Sequence, residues 1–378
     1  MEIRQYCWDG SLGWDQEPGT DGKLDADLVL VFGATRIITE SSCVALLRVV
    51  FPGARMIGCS TAGEIIDTTV SDNRLIATAI AFKKTSVVGA CVSIRDYSNS
   101  FEATKALVSQ IPRQGLRHLF VLADGILTNG SEVVRGLNEL LPIEISVTGG
   151  LAGDGLDFKN TYIIFDGQVR TSSIAAMGLY GDQLRIGFGS SGGWIPFGPE
   201  RLITRSHGNI LSELDGQSAL ALYKEYLGKH ANQLPAAGLL FPLSILPDDS
   251  DEPFVRTITH VDEEKNALGF AGDVPSGCYA RFMRAVPDDL IDGAAQAAEI
   301  SKSLGGESPE LCILISCMGR KAVLKQLTEE ETESVRESYR NNPAMTGFYS
   351  YGEIAPFRPG ERVMLHNQTM TITTISED

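Results

Sequence analysis

Three short stretches of this chain end an apolar run in a glycine beside a carboxylate. They are Gly63-Glu64 after Cys59-Ser60-Thr61-Ala62, Gly153-Asp154 after Gly149-Gly150-Leu151-Ala152, and Gly352-Glu353 after Tyr349-Ser350-Tyr351. Glycine lets a backbone come close to a ligand, and hydroxyls and carboxylates then fix the ligand's polar groups. Ser60, Thr61, Gly63 and Glu64 suit an ammonium and a hydroxyl; Gly150, Gly153 and Asp154 suit a second wall. Cys317-Met318-Gly319-Arg320 adds a guanidinium able to grip a carboxylate through two hydrogen bonds. Tyr349, Tyr351, Glu353, His366 and Asn367 supply directed hydrogen bonds and a further negative charge. Together these groups describe a pocket for a small ligand, an amino acid being the natural fit. Taken singly, each turn is also a capped tight bend, a lone Arg a surface ion pair, and a lone Tyr a core residue.

A different chemistry would pair Cys317 as nucleophile with His366 as base. Other catalytic signatures are missing: the chain has no P-loop, no HExxH, and no GxSxG in a strand–turn–helix setting. Gly187-Phe188-Gly189-Ser190-Ser191-Gly192-Gly193 looks like a phosphate loop but lacks the Lys and the following helix; Trp194, Pro196 and Gly198 favour a structural turn. The seven cysteines contain no CxxC, which gives no support to a zinc knot and fits reduced thiols in a reducing compartment.

The elements that must position these residues follow one layout three times. Leu28 to Gly33 reads as a buried strand, Glu40 to Val50 as a helix, and Met56 to Gly58 as a strand running into Cys59–Glu64. Leu119 to Gly125, Ser131 to Leu141 and Ile145 to Val147 repeat the order before Thr148–Asp154. Leu311 to Cys317, Thr328 to Arg340 and Met345 onward repeat it again before Gly352-Glu353, and Met364 to Ile375 closes the chain as a strand. Strand–helix–strand crossovers give parallel neighbours. Alternating strands follow, so the expected fold is α/β: two domains with mixed sheets built from repeated β-α-β units. Ligands in such sheets bind at strand ends, where the glycine–carboxylate turns fall. A boundary is expected at 205–215, and an acidic surface loop at Pro247 to Pro253.

The chain has 378 residues, is 43% hydrophobic and carries a net charge of −16. That charge repels polyanions, so nucleic acid is not an expected partner. No apolar run reaches the ~20 residues of a membrane span and no leader is visible, so a cytoplasmic protein without a membrane partner is expected.

Gly58-Cys59-Ser60-Thr61-Ala62-Gly63-Glu64, Gly149–Asp154 and Gly193–Gly198 resemble the N-terminal part of the FIST family of bacterial sensory proteins. Glu213–Leu220, Phe241-Pro242-Leu243, Cys317–Arg320, Gly347–Ile354 and His366–Thr369 resemble its C-terminal part. The resemblance implies a FIST N-terminal domain at 25–210 and a FIST C-terminal domain at 211–375. It implies a sensory input module, not an enzyme, that binds a small ligand such as an amino acid. The signal would pass to a separate protein, a histidine kinase or a cyclic-dinucleotide enzyme. Some members are haem-binding nitric-oxide sensors; were haem the cofactor here, His366 would be the axial candidate among His118, His207, His230, His260 and His366.

Overall fold

The computed structural model describes residues 1–247 and 252–378; most of the acidic segment expected as a loop at Pro247 to Pro253 lies outside them. The fold is mixed α/β, with four sheets among the described residues. Among these residues three pairs of strands run parallel, and each is joined by a helical crossover. Leu28–Gly33 pairs with Arg55–Ser60 across the helices Thr35–Glu40 and Cys43–Val50. Leu116–Ala123 pairs with Ser146–Leu151 across Gly130–Leu140. Leu311–Cys317 pairs with Ala344–Ser350 across Met318–Leu324 and Thr328–Ser338. The other pairings are antiparallel, which makes the three sheets holding these pairs mixed.

The apolar runs form strands because both of their faces are covered. Leu30, Phe32 and Ile57 of the first sheet meet Phe120, Leu122 and Met177 of the second and Ile313, Ile315 and Phe348 of the third in one core. The Phe32 and Phe348 rings lie 4.8 Å apart at its centre. Burying each such side chain stabilises the fold by about 1.5–3 kcal/mol.

Sequence neighbours do not stay within one sheet. Glu64–Ile66, which follows the first parallel pair, leaves that sheet and pairs with Ala344–Ser350. Gly352–Pro356 crosses the other way and pairs with Ser146–Leu151. Leu184–Ser191 pairs along its whole length with Met370–Glu377. Two of the sheets are therefore shared between the first and second halves of the chain. The expected boundary at 205–215 falls on a hairpin: Ile195–His207 turns back into Ile210–Leu214, with His207 opposite Ile210, inside the eight-stranded fourth sheet.

Several expectations need correction. The closing strand is broken: Val363–His366 and Met370–Glu377 belong to different sheets, separated by Asn367-Gln368-Thr369. The glycine run from Gly187 is a strand as far as Ser191, not a turn. Its glycines have a packing reason. A Cβ at Gly189 would lie 2.1 Å from the carbonyl oxygen of Ala297, and one at Gly187 would lie 2.3 Å from that of Ser301. Both oxygens belong to the 19-residue helix Pro287–Gly305, which lies directly on this strand.

Candidate functional site

The three glycine–carboxylate turns converge. The Gly153 amide donates to Ser60 O at 2.9 Å, and the Tyr351 amide donates to Leu151 O at 3.2 Å. Ala62 and Tyr349 are tied by two main-chain bonds: Ala62 N to Tyr349 O and Tyr349 N to Gly63 O, each 2.8 Å. The Tyr351 hydroxyl donates to the Asp154 carboxylate and accepts from the Asp154 amide at 3.2 Å. Asp154 also accepts from the amides of Phe158, Lys159 and Asn160, which fixes the loop after it. Phe158 then stacks on Tyr351, with 4.6 Å between ring centres and 15° between planes.

Two carboxylates lie buried beneath these turns in matching positions. Thr61 Oγ1 donates to Glu64 Oε1 at 2.5 Å, and Glu64 Oε2 accepts from Ser71 Oγ and the Arg74 amide. Ser350 Oγ donates to Glu353 Oε1 at 2.6 Å, and Glu353 Oε2 accepts from the Thr369 amide and hydroxyl. Burial is the main influence on both and outweighs these donors, raising each carboxyl to about 7.

Two clefts open on either side of the convergence. The first, about 470 Å³, is lined by Gly125–Asn129, Leu151, Phe158 and Asn209. Thr257, Thr259, Phe270–Gly272, Cys317–Gly319 and Ser350-Tyr351, with Leu239, complete its lining. None of the side chains lining it is charged. Thr128 from the first half of the chain and Thr257 from the second both line it; both are buried, and neither hydroxyl has a hydrogen-bond partner within the protein. Asn129 Nδ2 donates to Asp273 at 3.2 Å, and the Asp273 amide donates to Ser131 Oγ at 2.9 Å, which ties the two stretches of lining together.

The second cleft, about 830 Å³, is lined by Ala34–Arg36, Thr39-Glu40, Thr61–Gly63, Asp72-Asn73 and Asp154–Asp157, together with Met318, Lys321, Ala322 and Lys325. It is charged. Lys321 Nζ donates to Asp72 and to Ala62 O and sits 5.3 Å above the Tyr349 ring. Arg36 and Glu40 form an exposed ion pair on its rim.

Comparison with known proteins fits this arrangement. The FIST N domain model matches residues 27–217, and the FIST C domain model matches residues 219–356. The chain belongs to the FIST family. FIST domains are sensory domains of signal transduction. The chain also resembles an uncharacterized protein of Methanocaldococcus jannaschii, 24% identical over 249 residues that make up 62% of this chain. It spans about half of that relative's length, 46%.

Of the FIST residues singled out by sequence, Cys317 and Tyr351 line the first cleft, and Thr61, Gly63 and Asp154 line the second. Ser60, Glu64, Gly150, Gly153, Tyr349, Glu353, His366 and Asn367 lie behind the walls and line neither. Arg320 also reaches neither: it is fully buried, 3.4 Å from Glu331, and donates to the carbonyl oxygens of Gly192 and Leu290. Its role as a grip for a ligand carboxylate is corrected accordingly; its donors hold the Met318–Leu324 helix to the chain around it.

His366 is buried, and its Nε2 donates to Ala355 O at 2.8 Å. Burial lowers its ring to about 4. A haem held by His366 does not fit this setting, because neither cleft reaches the ring. The Cys317–His366 pair fails as well. Burial, helped by the Glu353 charge, pushes the Cys317 thiol well above its usual range, and no hydrogen bond joins it to a histidine among the described residues. No group of three metal-ligating side chains is present among the described residues, and none of their helices is long and apolar enough to cross a membrane.

Sequence reasoning missed Thr128, Thr257 and Lys321. The stretch Asp124-Gly125…Thr128-Asn129 did carry a signal. It ends a strand and caps the next helix, with Asn129 Oδ1 accepting from Ser131 and Glu132, and such ends are where α/β sheets bind ligands.

Proposed function

We propose that this FIST protein is a cytoplasmic small-ligand sensor whose ligand sits in the first cleft, between the two FIST segments, and whose signal passes to a separate protein. One observation carries this reading: residues from both segments line a cleft of small-molecule size, and two of them, Thr128 and Thr257, carry buried hydroxyls with no hydrogen-bond partner within the protein. Such hydroxyls cost about 1–3 kcal/mol each when they bond to nothing, and a ligand that satisfies them recovers that energy on binding. A ligand touching both walls favours the conformations that bring the walls together, and its leverage equals its difference in affinity between closed and open states. A histidine kinase or a cyclic-dinucleotide enzyme would read that change on the outer surface.

The test is a thermal-shift screen of metabolites against the wild type and Ala271→Phe, whose ring would fill the cleft. At a hundred times its Kd, a ligand adds about 2.7 kcal/mol of stability. Stabilising compounds should lose their effect in the variant. Equal stabilisation of both proteins would place the ligand elsewhere.

A second reading keeps the amino-acid ligand but moves it. The Lys321–Asp72 pair gives the second cleft both charges that an ammonium and a carboxylate require. On this reading, amino acids stabilise the wild type and not Lys321→Met.

A further inference from the structure

We infer that the first cleft selects an uncharged ligand, one with a flat apolar body and neutral polar groups able to bond Thr128 and Thr257 of its lining. This inference rests on the reading that the cleft is the ligand site, and it adds the chemical class of the ligand. The walls alternate apolar surface with neutral hydrogen-bonding groups: Leu151, Phe270 and Met318 beside Thr128, Thr257 and Ser350.

Charges do lie close behind the lining, but none is on it, and each already makes hydrogen bonds within the protein. Glu353 stands behind Ser350 and uses that hydroxyl's proton as well as both Thr369 donors. Arg256 stands behind Gly272 and donates to the main-chain oxygens of Asp273, Val255 and Leu365. Asp273 accepts from Asn129. An anion entering the cleft would lose water and find no cation among the described lining residues; a cation would lose water and find no carboxylate among them. Burying an unpaired charge costs far more than burying an amide or hydroxyl that finds a partner. The stacked ring pair Phe158–Tyr351 in the lining favours a planar body that can extend the stack.

The two hydroxyls also separate a ligand role from a structural one. Both are nine-tenths or more buried, at 9% exposure for Thr128 and 4% for Thr257, and neither makes a hydrogen bond inside the protein. Replacing each by the isosteric valine removes nothing the fold uses. The Thr128→Val/Thr257→Val protein is therefore expected to melt at or above the wild-type temperature while binding its ligand more weakly.

The experiment uses three probes of one size: benzamide, benzoate and benzylamine, which are neutral, anionic and cationic. Each is added at millimolar concentration to the full chain, and binding is read by saturation-transfer NMR. The expected result is a benzamide signal several-fold above the other two. That signal should fall several-fold in the double variant and vanish in Ala271→Phe. If benzoate or benzylamine matches benzamide and both variants abolish the signal, the cleft is the site but does not discriminate charge, and the inference fails alone. If no probe binds, or if binding survives both variants, the inference fails together with the reading it rests on.

Discussion

Thr61 and Ser350 do the same thing in two places: each donates its hydroxyl to a glutamate three residues on, Glu64 or Glu353, across a turn containing a glycine. The chemistry expected of these carboxylates was ligand binding. Their burial makes them pH-dependent parts of the fold instead. Both native carboxyls stand near 7 against an ordinary value of 4.5, so the native state holds protons that the unfolded chain has released. Their contribution to stability is complete below about 4.5, declines as pH rises to about 7, and is constant above that. Carboxylates held below their usual range, such as Asp9 and Asp262, act in the opposite sense and only at lower pH. Unfolding free energies from urea titrations should therefore fall between about pH 4.5 and pH 7, by on the order of 1–3 kcal/mol for each glutamate. In Glu64→Gln and Glu353→Gln part of that slope should disappear; an unchanged slope would contradict the assignment. Cys317 gives a second check at this scale. Its buried, protonated thiol should react with iodoacetamide no faster than the native state opens, so a fast reaction at neutral pH would show a free thiolate that this structure does not contain.

Among the elements, turns matter more than regular structure, because the site is made where strands end. Gly125 starts the loop that forms one wall of the first cleft, and a Cβ there would lie 1.8 Å from the main-chain oxygen of Ala152. Gly125→Ala must push that turn away from its neighbour. A loss of about 1–3 kcal/mol in chemical denaturation is expected, with weaker ligand binding. An unaffected protein would mean that the wall is not held this tightly. The strands and helices flanking these turns were legible because Leu28–Gly33, Leu119–Ala123 and Leu311–Ile315 are continuous apolar runs of strand length. The helix Pro287–Gly305 was not. It faces the sheet with Gly293, Ala294, Ala297 and Ala298, small residues that leave little apolar stripe in the sequence. The fourth sheet was equally hidden: its strand Ile195–His207 contains Pro196, Gly198 and Pro199 and pairs with irregular register. The cleft hydroxyls belong to no motif. Thr128 and Thr257 lie 129 positions apart, and folding alone brings them to one cleft.

At the scale of the molecule, the two FIST segments meet as shared sheets rather than as two bodies in contact. Glu64–Ile66 from the first pairs with Ala344–Ser350 from the second, and Gly352–Pro356 from the second with Ser146–Leu151 from the first. Cutting between them at 217–219 would strip strands from two sheets and expose the core around Phe32 and Phe348. The fragment up to 217, expressed alone, should lack near-ultraviolet circular dichroism, whereas the whole chain should unfold in one transition. A fragment that folds on its own would show that the segments are separable. The sequence announced two segments and a junction; it could not announce that strands would be exchanged across it, because pairing partners far apart in the chain leave no local pattern. Residues of both segments line the first cleft, and the proposed ligand must touch both. Hydrogen exchange followed by mass spectrometry, with and without a metabolite that stabilises the protein, reads that contact. Binding should slow exchange in both 125–129 and 257–272; slowing confined to one of these stretches, or to 34–40 and 318–325 around the second cleft, would rule the shared site out.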